Sequence, residues 1–327
     1  MRILIEKNGK AMIESDDLDE VRSALQDPES LIWVDLDGIS PNESRQILTQ
    51  VFDFHPLAVD ETLAEIHVPK IDDWGSYLYT SLVAIHPDRP LDDIDKSIEL
   101  DVFVGANYIV TYHQEPVASL DLVWNTLLHN ESRLQRGSKF ILYQIIDALV
   151  DEYMQMIDYL DTQIDEIEDT VIIKPDKKML EDIFSIKRSL LNLRRFVAPQ
   201  REVLNKLSRG DFEIVSQKER MYFRDLYDHL VRVHEIIESL RDMVGGALDT
   251  YLSVVNNQLS NIMKTLTIIT TLFMPLSFLT GFFGMNFFSA SGQLNHLTSS
   301  VSFVLAIVVM VFLPVIMFLW MRRRDWM

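Results

Sequence analysis

Hydrophobic positions change their rhythm twice along this chain. Through residues 1–135 they come in short blocks, with strand-like runs at 31–36, 77–86 and 98–113, the last interrupted at Gly105-Ala106-Asn107 as a hairpin would be. Residues 1–10 read as a short alternating strand, and Ser40-Pro41-Asn42-Glu43 as a helix start with Ser at the cap and Pro in the first turn. From Tyr143 onward glycine and proline become sparse, and Ile145, Leu149, Tyr153, Met156, Leu160, Ile164 and Ile167 recur at helical steps of three and four. Residues 136–216 thus predict a helical hairpin that turns at Lys174-Pro175-Asp176-Lys177-Lys178, and residues 217–283 predict one long stalk helix softened at Gly245-Gly246. The second change comes at residue 262, where apolar residues become nearly continuous: residues 262–283 carry Lys264 as their single charge, and residues 301–321 carry none.

At a rise of about 1.5 Å per residue each of these runs reaches roughly 30 Å, the thickness of a bilayer's hydrocarbon core. Both read as transmembrane helices, TM1 at 262–283 and TM2 at 301–321. Arg322, Arg323 and Arg324 close the second run in a basic tail (322–327), whereas the connection at 284–300 holds no Lys or Arg. The bias places both termini in the cytoplasm of a cell (inner) membrane and the 284–300 loop outside. No signal-peptide pattern opens the chain, so insertion falls to the C-terminal pair.

Charge sharpens the picture. With 49 acidic against 30 basic residues the net charge is −19, and the acidity lies outside the apolar runs. Such a surface repels nucleic acid and anionic lipid and attracts cations. There is no cysteine, which excludes disulfides and thiolate metal sites. No Gly-rich Lys-Ser/Thr segment binds nucleoside triphosphate, and no catalytic triad or carboxylate pair presents itself, so an enzyme and an organic cofactor are not expected. Asp147, Asp151, Glu152, Asp158, Asp161, Asp165, Glu166, Glu168 and Asp169 follow one another without an intervening Lys or Arg. They read either as a solvated helix face or as carboxylates that gather hydrated divalent cations.

The stalk helix carries an unusual stripe. Steps of three and four give Asp249, Leu252, Asn256, Ser260, Met263, Thr267, Thr270, Met274, Ser277 and Gly281, small or polar among Leu266, Ile268, Ile269, Leu272, Phe273, Phe278 and Leu279. Hydroxyls in a spanning helix serve either to bond a carbonyl four residues back and glue helices, or to line a narrow pore at a symmetry axis. The stripe ends at Gly284-Met285-Asn286, where Asn oxygens would hold a cation that surrenders its waters reluctantly, as Mg²⁺ does. A helix this long needs partners, which argues for an oligomer.

These segments together resemble the CorA family of divalent-cation channels. The carriers are His55-Pro-Leu-Ala-Val-Asp60, Val68-Pro-Lys-Ile71, Arg201-Glu-Val-Leu-Asn-Lys-Leu207, Tyr222-Phe-Arg-Asp-Leu-Tyr-Asp228, Phe273-Met-Pro-Leu276 and Gly281-Phe-Phe-Gly-Met-Asn286. The resemblance implies a funnel-shaped homopentamer: an α/β cytoplasmic domain, a long helical stalk lining the pore, and a second transmembrane helix outside it. It implies Mg²⁺ influx, with Co²⁺ and Ni²⁺ as further cargo, and closure by cytoplasmic Mg²⁺. By position it makes Gly284, Met285 and Asn286 the selectivity filter. Asp249, Asn256, Ser260, Met263, Leu266, Thr270, Met274, Ser277 and Gly281 would line the pore, with Met263 and Leu266 as hydrophobic gates. Asp88 and Asp225 would bind regulatory Mg²⁺ between subunits. Two departures stand out: Phe287-Phe-Ser-Ala-Ser-Gly-Gln-Leu-Asn295 replaces an acidic outer segment, and Ser260 and Thr270 replace residues often Asn and Ala. The zinc-moving ZntB branch shares the fold, and His296 in the loop is a soft-ligand hint toward it. A soluble signalling domain tethered by a helical hairpin is the rival of another class.

Overall fold

The computed structural model describes residues 1–7, 10–15, 17–64, 68–85, 97–129, 136–285 and 300–324. Asp88, Asn286 and His296 lie outside the described residues. The chain divides into two compact units, Met1–Leu248 and Asp249–Met327.

The first unit is built on a seven-stranded mixed sheet of order β2-β1-β3-β7-β6-β5-β4. Its strands are β1 (Arg2–Lys7), β2 (Lys10–Ser15), β3 (Leu31–Asp37), β4 (Lys70–Asp73), β5 (Leu78–Ile85), β6 (Ser97–Val104) and β7 (Tyr108–His113). All neighbours are antiparallel except β3 and β7, which pair in parallel with Val34 opposite Val110. β5 is buried along its whole length, which is why its apolar run shows little alternation. The expected hairpin break at Gly105-Ala106-Asn107 is the turn between β6 and β7. The initial strand is followed by a second, β2, that pairs with it across a bulge between Leu4 and Ile5.

Three short helices, α1 (Leu18–Leu25), α2 (Pro41–Gln50) and α3 (Pro56–Thr62), cover one face. There Val21, Ala24, Ile47, Leu48, Ala58 and Val59 meet Ile3, Ile32, Val34, Leu36, Phe103, Val110 and Tyr112 in a single core. The Ser40 hydroxyl caps α2 by accepting from the Glu43 amide, the role its sequence predicts. On the other face lie α4 (Ala118–Leu128) and α5 (Ser138–Val171). Trp33 of β3 packs there against Trp124 of α4, ring centroids 4.7 Å apart.

A buried polar network ties this face together. Asp35, wholly buried, accepts from Arg2 Nε at 2.7 Å and Thr111 Oγ1 at 2.6 Å, and lies 3.1 Å from His113 Nε2. Arg2 continues to Asp121 at 2.7 Å and stacks its guanidinium over Trp124. Burial alone would favour neutral Asp35, yet His113, Thr111 and Arg2 hold its carboxyl below the usual carboxylate range. Burial likewise opposes the charged imidazole of His113, but Asp35 raises it above its ordinary value.

α5 is followed by α6 (Lys177–Arg209), which Asp176 caps through the Met179 amide at 2.8 Å. Along α5 the buried stripe runs Ile145, Leu149, Tyr153, Ile157, Leu160, Ile164 and Ile167, with Ile157 buried where Met156 is only half-buried. α6 ends at Gly210 in the left-handed region (φ 89), where a Cβ would also crowd the Arg220 guanidinium. α7 (Gln217–Phe283) then runs unbroken past Gly245-Gly246 and Pro275. Its first part packs into the first unit: Phe223, Leu226, Leu230, Val233, Ile237, Leu240, Val244 and Ala247 are buried, and Glu238 pairs with Arg194 of α6 at 2.9 Å.

The second unit contains the rest of α7 and α8 (Ser300–Arg323). Both are long and apolar enough to cross a membrane.

Candidate cation path and regulatory carboxylates

In the second unit each helix has one half-buried stripe, Ile268, Thr271, Leu272, Pro275, Leu276 and Leu279 on α7 and Ala306, Met310, Leu313, Pro314 and Met317 on α8. The polar stripe of α7 lies on nearly the opposite side of the helix from its half-buried one, roughly 160° around at about 100° per residue. Asp249, Asn256, Ser260, Met263, Leu266, Thr270, Met274, Ser277 and Gly281 are all exposed in the single chain. An apolar helix whose polar face is left open requires a partner for that face.

Two hydroxyls on this face, those of Thr267 and Thr270, are bonded back to the helix. Thr267 Oγ1 donates to the Met263 carbonyl at 2.7 Å, and Thr270 Oγ1 is shared between Leu266 at 2.9 Å and Thr267 at 3.0 Å. The back-bonding alternative is therefore real in this helix, and it has a chemical consequence. A hydroxyl whose hydrogen is spent on the backbone offers only oxygen lone pairs outward. That suits a hydrated cation, whose bound waters direct their hydrogens away from the metal.

At the end of α7 the Gly284 amide donates to the Thr280 carbonyl at 2.9 Å, and the Met285 amide to Phe282 at 3.3 Å. A Cβ on residue 284 would lie 2.9 Å from that same Thr280 oxygen, so this closing turn favours glycine. The turn delivers the chain to Asn286, whose placement is outside the described residues.

The carboxylates of the first unit sort into two groups. Asp158, Asp161, Asp165, Glu166, Glu168 and Asp169 stand exposed along α5. Asp147 is different. Burial pushes its carboxyl up, the charges of Asp151 and of Asp225 on α7 push it further, and His229 opposes them. The fold thus sets Asp225 within electrostatic reach of Asp147, a pairing invisible in sequence because 78 positions separate the two. Asp225 itself is exposed, and among the described residues no group of three or more His, Asp or Glu could hold a metal ion within one chain.

A large α/β unit joined through one long helix to two bilayer-length helices, the first with an open stripe of oxygen acceptors, defines a class of membrane transport proteins. The model of the family described as CorA-like Mg²⁺ transporter protein matches residues 28–323. The chain belongs to that family, whose members are divalent-cation transporters and not enzymes. It is 30% identical over 311 residues to the cobalt/magnesium transport protein CorA of Thermotoga maritima, covering 94% of this chain and 87% of that one. It is 26% identical over 309 residues to the zinc transport protein ZntB of Cronobacter sakazakii, covering 93% and 90%. Among solved structures, the CorA magnesium transporter of Methanocaldococcus jannaschii superposes with a TM-score of 0.81 at 22% identity, over 100% of this chain and 99% of that one.

Proposed function

We propose that this chain is a Mg²⁺ influx channel that works as a homopentamer, with Co²⁺ and Ni²⁺ as further cargo. The observation that carries the reading is the open stripe of α7, whose Thr267 and Thr270 hydroxyls spend their hydrogens on the helix and face outward as acceptors. Five such helices around an axis would cover one another's polar faces and leave a narrow path lined by Asp249, Asn256, Ser260, Thr270 and Ser277. Met263, Leu266 and Met274 would form its apolar constrictions, and Gly281 its wide point. Gly284, Met285 and Asn286 form the filter in this reading, with Asn286 holding Mg²⁺ through its water shell. Both termini face the cytoplasm of the cell (inner) membrane, as the basic residues that close α8 favour. The driving force is the membrane potential, about 2.3 kcal/mol per charge per 100 mV and so about twice that for a divalent ion.

Regulation belongs to the carboxylates. Asp225 of one subunit and Asp88 of its neighbour would share a cytoplasmic Mg²⁺. The crowding of Asp147, Asp151 and Asp225 supports this, because a divalent cation at Asp225 removes like-charge repulsion and favours the closed arrangement. A zinc-carrying role like that named for ZntB is the second reading, favoured by that match. The stripe offers oxygen and thioether groups but no thiolate and no imidazole, which suits Mg²⁺ better than Zn²⁺.

The test is flux into proteoliposomes loaded with Mg²⁺-, Zn²⁺- or Co²⁺-sensitive dye. Potential-driven Mg²⁺ entry that disappears with Asn286→Ala is expected. Zinc entry without Mg²⁺ entry would transfer the chain to the zinc reading, and no flux of any ion would leave the tethered domain.

A further inference from the structure

His113 closes β7, and its buried side chain reaches Asp35 of β3 on one side and the connection 114–117 toward α4 on the other. Each ring nitrogen faces oxygen. Nε2 lies 3.1 Å from Asp35 Oδ1, and Nδ1 lies 2.7 Å from the Glu115 carbonyl and 3.5 Å from Asp37 Oδ1. A backbone carbonyl only accepts. The Asp35 carboxyl is fixed as an acceptor by its other partners. Trp33 Nε1, which can only donate, gives its hydrogen to Thr111 Oγ1 at 3.1 Å, so the Thr111 hydroxyl passes its own to Asp35 at 2.6 Å, while Arg2 Nε donates to the second carboxylate oxygen at 2.7 Å. An imidazole with an acceptor at both nitrogens is satisfied only when each carries a hydrogen, which is the imidazolium.

We propose that His113 is a proton-operated latch: as imidazolium it ties the connection 114–117 to β3, and loss of the proton from Nδ1 releases that connection. The latch is independent of cation transport.

The proton leaves from Nδ1 because Nε2–H is held by the ionised Asp35, whereas Nδ1–H is bonded to a neutral carbonyl. The bared lone pair then meets the Glu115 oxygen in a buried site, a contact that opens rather than persists. The connection is suited to respond: Pro116 has no amide hydrogen, and Val117 caps α4 without a side-chain bond.

Burial alone would strip the imidazole of its proton, yet Asp35, with the Glu115 carbonyl and Asp37, raises it above its ordinary value. The charged groups around it are Asp35 and Asp37 from β3, Arg2 from β1 and, through Arg2, Asp121 from α4. On α5, Lys139 bonds the Gly105 and Ala106 carbonyls before the opposite end of β7, Glu152 is held by Ser119 and the Ile85 amide, and Asp147 is acted on by Asp151, His229 and Asp225. A raised imidazole keeps the latch closed at low pH and opens it as pH rises through the folded value.

Solid-state NMR of the full chain in lipid, labelled with nitrogen-15 in histidine, tests this together with hydrogen exchange at residues 114–117. At about pH 7.5 ordinary histidines are about nine-tenths neutral, and one imidazolium signal should persist and be missing from His113→Gln. As pH rises through the titration of that signal, exchange at 114–117, corrected for the intrinsic chemical rate, should quicken by at least about tenfold. Asp37→Asn changes an exposed residue, takes a carboxylate from beside Nδ1, and should carry the titration and the loosening to lower pH together. That joint displacement assigns the signal should His113→Gln fail to fold. A neutral His113 at about pH 6, or exchange at 114–117 that does not follow the titration, would overturn the proposal. Neither measurement reads flux, so such a failure leaves the transport reading standing.

Discussion

Along α7, Phe223, Leu226, Leu230, Val233, Ile237, Leu240, Val244 and Ala247 are each at most 3% exposed, whereas Leu266, Phe273, Met274 and Phe278 stand 53–77% exposed. The contrast lies within one continuous helix. In the first region apolar residues occupy a single stripe, and the remaining faces carry Arg220, Arg224, Asp228, Glu235 and Arg241, the pattern of a helix that packs on protein and faces water. In the second region apolar residues surround the helix, and apart from Lys264, Thr265, Thr271 and Thr280 the polar ones lie on the stripe. An open apolar surface of that extent is not tolerated in water, so its burial must come from lipid or from partner helices.

The largest expected effect separates these two kinds of burial. Leu230→Ala empties a packed site in the first unit and should cost about 2–5 kcal/mol, seen as a clear fall in the thermal melt in detergent. Phe273→Ala removes a larger side chain from the second region yet should move that melt by no more than about 0.5 kcal/mol. Equal losses from both would mean that Phe273 is buried against protein and that the division drawn along α7 is wrong.

A second effect belongs to the first unit alone. His113 has its imidazole raised by Asp35, so the stability it contributes is complete below about pH 6.5 and is lost as pH rises through its folded value. Asp35 is lowered, so its contribution is present above about pH 3.9 and is lost as pH falls through its folded value. The melt should therefore be highest between about pH 4 and 6.5 and decline toward pH 8. His113→Gln should cost about 1–3 kcal/mol at pH 5.5, by taking a partner from wholly buried Asp35, and should flatten that decline. A decline that persists undiminished in the variant would assign it to other groups. Within residues 262–283 Lys264 is the single charge, so the second region offers nothing comparable to titrate.

The two regions also differed in how far they could be read in advance. The apolar runs, the helical spacing and the stripe on α7 follow from periodicity, which a sequence carries openly. β3, β5 and the β6–β7 hairpin were legible because β-branched and aromatic residues cluster between turn signals. β2 and β4 were not, since Lys10–Ser15 and Lys70–Asp73 are short and polar and become strands only through their neighbours. The Arg2–Asp35–Thr111–His113 network was hidden for the same reason: its members come from three strands that the topology alone brings together. Likewise Asp147 appeared as one acid in a row of nine, and its coupling to Asp225 depends on how α5 packs against α7.

That coupling, within the first unit, gives the smallest predicted effect. With Asp225 charged, Asp147 is held up first by burial and then by Asp151 and Asp225, so ionising it costs stability as pH rises from about 3.9 toward its raised value. Asp225→Asn removes one repelling charge, and at pH 7 without Mg²⁺ the first unit should melt slightly higher than wild type. A divalent cation neutralises the same repulsion, so the rise in melting temperature that Mg²⁺ brings to wild type should shrink in Asp225→Asn. Asn286→Ala, three positions past α7 in the sequence, should leave that Mg²⁺-induced rise intact while removing flux. If Mg²⁺ stabilises Asp225→Asn as much as wild type, the cation that acts on the first unit binds elsewhere, and Asp225 is an ordinary exposed residue of a packed helix.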